Sequence, residues 1–160
     1  DVARLRDKVV VTTAASSAET VLRNINQRFP LGVRIMTKPT AAEAFAVVGK
    51  GEADALFMSD IVISDLLAKA MDRDRFTLLR DAYSVDGIAI VLARDDAGMK
   101  LLADRELKRM MSDGEIHRLY AAWFQSIIPP AKVNLNLRLN ELTRDHYKRP
   151  SDEVNRDNLF

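Results

Sequence analysis

The sequence predicts an α/β fold: a mainly parallel sheet with crossover helices. Three observations predict it. Short β-branched runs alternate with stretches of helical apolar spacing through residue 93, the pattern of parallel strands joined by helices. Two of those helices open on a capping box set directly after a strand, Ser16 to Glu19 and Thr40 to Glu43. The composition is that of one ordinary domain with a core of its own, 160 residues of which 48% are hydrophobic and 29% charged.

The elements follow in order. Residues 9–13, "VVVTT", are β-branched and bounded by polar residues, which reads as a buried strand. Val21, Leu22 and Ile25 have helical spacing between Ala18 and Arg28, and Pro30 and Gly32 end that helix. "VRIMT" (33–37) is a second strand. Thr40 then opens a helix that packs Phe45 and Val48 and stops near Gly49–Gly51. "DALFM" (54–58) is a third strand, and a helix follows from about Asp60 to Met71. "FTLLR" (76–80) and "GIAIVLA" (87–93) are expected to be further strands. Met99–Met111 is a helix, and Ser112 to Glu115 is expected to act as a capping box for another, reaching Gln125. Pro129-Pro130 breaks it. "VNLNLRL" (133–139) alternates with period two, so it is extended with one buried face, and a short helix runs over 140–148 before a polar tail. After residue 94 the chain adds little sheet of its own, which marks a different layer or lobe.

Charge and composition narrow the function. The net charge is +1, and residues 1–87 hold 12 basic and 12 acidic side chains against 12 and 11 in residues 88–160. That even balance argues against nucleic acid as a partner. No apolar run approaches the ~20 residues of a membrane helix. The opening "DVARLRDK" is too charged for a signal peptide, as in an exported protein already processed or cut. Cysteine is absent, so no thiol chemistry is expected, and His117 and His146 lie too far apart in sequence to suggest a histidine metal site.

The stretch "TTAASSAE" (12–19) is the most informative junction. Ligands of open parallel sheets bind beyond the carboxyl ends of the strands. Unpaired N–H groups and the positive end of a helix suit a carboxylate or phosphate there. Small hydroxyl side chains add donors without blocking access. Capping by Ser16 explains the same residues, and both readings stand. The stretch is not a P-loop, since it lacks the glycines and the lysine. A second junction, "MSDIVIS" (58–64), places Ser59 and Asp60 either as helix caps or as ligand contacts.

Five segments carry a resemblance: "KVVVTTAASSAE" (8–19), "GEADALFMSD" (51–60), "VLARDD" (91–96), "SDGEIHRLYAAWF" (112–124) and above all "IIPPAKVNLNLRL" (127–139). Together they resemble the periplasmic solute-binding proteins of polar amino-acid ABC transporters, most of all their glutamate/aspartate-binding branch. The likeness covers the whole chain but only the later part of such a protein. It implies two lobes joined by crossing strands. Residues 1–87 would be the second lobe. Residues 88–160 would be the return strand, closing helices and extended tail of the first lobe, whose early part is not in this sequence. It implies a periplasmic protein that hands an amino acid to a membrane permease, with no cofactor and no catalysis. Carried over by position, Thr13 faces the cleft, Ser16 supplies a hydroxyl to the α-carboxylate and Ser17 a backbone N–H.

Two departures stand out. The family usually has Asp where this chain has Ser59, leaving Asp60 as the nearby acid for an ammonium. The glutamate/aspartate branch has His where this chain has Ala41. An enzyme on the same fold, such as a cyclohexadienyl-type dehydratase, would have to use Asp60 or Glu19, and a sensor domain is the other alternative. Apolar residues meant for the absent part of the first lobe, among them Ile88, Ile90, Leu101, Leu102, Leu107, Met110, Leu119, Trp123 and Phe124, are expected to pair two chains into a homodimer.

Overall fold

A computed structural model describes residues 2–79, 82–84, 87–130 and 132–151. The chain divides into two compact units, one within residues 1–84 and the other within 85–158.

The first unit is α/β. Strand β1 (Val9–Thr13) is central, flanked by β2 (Arg34–Lys38) and β3 (Ala55–Leu56), and both pairings are parallel. Helix α1 (Ser17–Arg28) connects β1 to β2, α2 (Ala41–Gly49) connects β2 to β3, and α3 (Asp60–Lys69) follows β3. A strand covered on both faces should read as an unbroken apolar run, and Val9, Val10 and Val11 do. Val10 packs with Leu22 and Ile25 of α1 and with Leu5, Leu31 and Val33. Val11, pointing the other way, packs with Ala44 and Val47 of α2 and with Ala53.

Polar groups fix the joints between these elements. The Asn26 side-chain amide donates to the Val33 carbonyl and its oxygen accepts the Val33 N–H, both at 3.1 Å, so the end of α1 is tied to the approach to β2. The Asp54 carboxylate accepts the Val9 N–H at 2.8 Å. That bond, and then Lys8, hold the Asp54 carboxyl below its ordinary range. Helix α2 ends in a Schellman turn. Glu52 N–H donates to Val47 O and Gly51 N–H to Val48 O, both at 3.0 Å, with Gly51 at φ +76° supplying the left-handed residue the turn requires.

Thr12 is the exception in the core. It is fully buried, and its hydroxyl has no hydrogen-bond partner among the described residues. An unmade bond to a buried donor costs about 1–3 kcal/mol. Thr12→Val keeps the shape and removes that group, so it should raise the melting temperature; an unchanged or lower midpoint in a thermal scan would show that the hydroxyl is satisfied after all.

The second unit is helical. α4 (Ala97–Ser112) packs against α5 (Glu115–Phe124) and α6 (Glu141–Lys148). Arg109 joins the α4–α5 corner through ion pairs to Glu106, Asp113 and Glu115. Residues 133–139 are tied to the C-terminal end of α5, where Gln125 O accepts from the Asn134 side chain at 3.0 Å. Leu137 is buried, its N–H donates to Phe124 O at 3.0 Å, and Asn134, Asn136 and Arg138 are exposed between half-buried neighbours. The period-two pattern of that segment is therefore its burial pattern, although only Val133 forms a bridge, to Ile128.

Three expectations are corrected. Residues 76–79 form no strand, and Arg80 lies outside the described residues. Residues 87–93 also form no strand, because a strand exists only when its N–H and C=O groups meet a partner. None of the three strands among the described residues takes them, and Ile88 and Val91 are 90% and 95% exposed. The capping box at 112–115 does not form. Helix α4 runs through Ser112, whose hydroxyl turns back to donate to Arg109 O at 2.8 Å. Gly114, at φ +79°, starts α5 instead, and Asp113 accepts the Glu115 N–H at 2.9 Å.

Candidate functional site

The parallel sheet brings three helix beginnings to one edge. β1, β2 and β3 all end there, and α1, α2 and α3 start within a few residues of those ends. The phasing is set by the register. Thr13 is opposite Lys38, and the ladder to β3 continues past Leu56 with a bond from Phe57 N–H to Val11 O at 2.9 Å. The two junctions singled out in the sequence therefore lie on adjacent strands at the same edge.

At the β1–α1 turn, Ala15 takes a left-handed backbone, φ +56°. This conformation is uncommon for a residue with a Cβ and tends to persist where the surroundings impose it. The Ala14 N–H on one side donates to Lys38 O at 2.9 Å, and the Ala15 N–H on the other donates to Glu19 Oε2 at 2.8 Å. Ser16 follows as the N-cap. Its hydroxyl accepts the Glu19 N–H at 3.2 Å and donates to the Thr13 carbonyl at 2.7 Å. The N–H groups of Ser17 and Ala18, in the first turn, have no intrahelical acceptor by the geometry of a helix. The turn thus offers two backbone donors, and one hydroxyl that can exchange its cap for a ligand.

Glu19 stands next to these donors. Arg23 grips its carboxylate, at 2.6 Å, and the Ala15 N–H adds a second bond; Arg23 first and that N–H second pull its carboxyl below the ordinary range. Its negative charge is therefore offset locally by a cation, which lessens its opposition to an anion at the turn.

At the β3–α3 junction Ser59 is the N-cap by position, is exposed, and makes no side-chain capping bond. Asp60 is exposed too, and its carboxylate accepts the Ile61 N–H at 2.8 Å. Thr40 caps α2 by accepting the Glu43 N–H at 3.2 Å. Ala41, next in line, offers only a methyl. Lys38 was not singled out by the sequence. A single lysine at the end of a strand carries no signal until the register places it beside Thr13. No group of His, Cys, Asp and Glu among the described residues could hold a metal ion, and no described helix is long and apolar enough to cross a membrane.

No protein-family model matches the chain. Among curated proteins it is similar to the glutamate/aspartate import solute-binding protein of Escherichia coli, 28% identical over 154 residues, covering 96% of this chain and 51% of that protein. It is similar also to the protein of the same name from Salmonella typhimurium, 27% identical over 150 residues, covering 94% and 50%. A third relative is the L-glutamate/L-aspartate-binding protein of Pseudomonas aeruginosa, 28% identical over 150 residues with the same coverage. The chain spans about half the length of the curated relatives it matches.

Proposed function

We propose that this chain is part of an amino-acid-binding protein serving an ABC import system in the periplasm. Residues 1–87 act as its second lobe, and residues 88–160 as the closing part of its first. The solute, a polar or acidic amino acid, bridges the two lobes, hinge closure traps it, and the membrane permease recognises the closed form. No bond is made or broken. The β1–α1 turn is the observation that carries this reading: Ser16 holds its hydroxyl between a cap and a carbonyl while the N–H groups of Ser17 and Ala18 have no helical acceptor. Thr13 ends the strand below them. Ser59 and Asp60 flank the same edge and complete the proposed contacts. The similarity to glutamate/aspartate-binding proteins supports the choice of solute class. The dehydratase reading draws no support from the geometry, since Glu19 is held by Arg23 and the Asp60 carboxylate already accepts the Ile61 N–H.

The test is Ser16→Ala in the protein at its natural length. A hydrogen bond to a charged group contributes about 1.5–3 kcal/mol, so affinity for the amino acid should fall about ten- to hundredfold by calorimetry. Unchanged affinity with only a lower melting temperature would reduce Ser16 to a cap. Turnover of the bound solute would replace the transport reading with the enzymatic one. We also propose that exposed apolar residues of the second unit pair two copies of this chain.

A further inference from the structure

Lys38 is the last residue of β2, and the parallel register sets it directly opposite Thr13. Opposed residues on neighbouring strands project from the same face of the sheet, and such strands lie about 4.8 Å apart. The Lys38 carbonyl is itself bonded to the Ala14 N–H at 2.9 Å. Its backbone is thus pinned to the turn that presents the Ser16 hydroxyl and the Ser17 N–H. Lysines of this chain that have a carboxylate in reach pair with it, as Lys8 does with Asp54 and Lys69 with Asp65. Lys38 is half-buried and pairs with no carboxylate among the described residues.

The acidic side of the edge is weak by comparison. Ser59 has no charge to offer a ligand ammonium. Asp60 is exposed and already accepts the Ile61 N–H, and Glu19 is neutralised locally by Arg23. A solute ammonium brought to this edge would be poorly paired, whereas a second negative group would meet a cation that pairs with no carboxylate among the described residues.

We propose that Lys38 holds the second carboxylate of the solute, so that this site selects for dicarboxylates and gains little from an ammonium group. The inference rests on the reading of the Ser16 turn as a carboxylate site and names the solute class of that site. One carboxylate lies on Ser16 and Ser17, and the other faces Lys38 from the neighbouring strand.

Calorimetry with the protein at its natural length tests it, using glutarate, glutamate and the monocarboxylate butyrate as probes against the parent, Lys38→Met and Lys38→Arg. Glutarate should bind within about tenfold of glutamate. Lys38→Met should weaken glutarate at least tenfold and butyrate less than twofold, with an unchanged melting temperature, and Lys38→Arg should restore most of the loss. Glutarate affinity within twofold of the parent in Lys38→Met would overturn the role of Lys38 while leaving the Ser16 turn standing. Glutamate favoured over glutarate by much more than tenfold would overturn the dicarboxylate preference, since an ammonium partner would then exist. If none of the three probes binds the parent, the carboxylate site and this inference fall together.

Discussion

Leu22→Ala is expected to lower the stability of the first unit by about 2–5 kcal/mol, the range for deleting a large buried aliphatic side chain. Leu22 is fully buried at the centre of α1. It packs among Val10 of the central strand, Ile25 one turn along, Leu5, and Leu31 and Val33 of the connection from α1 to β2. Those segments are held at fixed points: Asn26 bonds Val33 at 3.1 Å twice over, and Asp7 N–H bonds Leu31 O at 2.8 Å. Anchored walls cannot collapse into the space a leucine leaves, so the loss should lie in the upper half of the range. Urea unfolding followed by far-ultraviolet circular dichroism would read it as a shift in midpoint at constant slope. The neighbouring Thr20→Ala, on an exposed position, is the control and should cost well under 1 kcal/mol. A loss below about 1 kcal/mol for Leu22→Ala would mean that the α1 face is not the core of this unit.

The first 70 residues were legible because their signals are local. "VVVTT" is β-branched throughout and is buried on both faces of the sheet. The hydroxyls of Ser16 and Thr40 lie three residues ahead of a glutamate, and each caps its helix as that spacing implies. The segments that misled are those whose state depends on partners far away in sequence. "GIAIVLA" has strong β propensity and still forms no strand, because propensity states what a segment can pair with and not what is there to pair. Ser112 to Glu115 met the spacing of a capping box, but α4 runs one residue further, through Ser112, and Gly114 adopts the left-handed turn that starts α5. The candidate site divides the same way. Ser16 and Asp60 are visible as the starts of helices, while Lys38 acquires meaning only from its register with Thr13.

The 160-residue chain should self-associate at micromolar concentration. Ile88, Val91 and Leu101 are 90%, 95% and 71% exposed, and Leu102, Leu119 and Trp123 are also exposed on the helices of the second unit. Leu107, Met110 and Phe124 are half-buried there. Soluble monomers rarely leave contiguous apolar patches of more than a few hundred Å² in water. At roughly 25 cal/mol per Å², burying 400 Å² from the pair of chains gains on the order of 10 kcal/mol. Association costs about 4–15 kcal/mol in lost freedom, so 400 Å² only reaches the balance. A dimer of micromolar strength, about −8 kcal/mol net, requires roughly 800 Å² of apolar surface buried from the pair, and that larger contact is the expected result. A twofold arrangement presents the same patch from both chains and closes at two copies. Sedimentation velocity across the micromolar range should therefore show a concentration-dependent shift from monomer to dimer. Ile88→Lys with Val91→Lys places charges on the most exposed apolar stretch, and Trp123→Lys does so on α5. Either substitution should move the midpoint to at least tenfold higher concentration, because each leaves an unpaired charge in the contact. A single compact monomer at every concentration would refute the pairing. A dimer that neither substitution weakens would place the contact on another face.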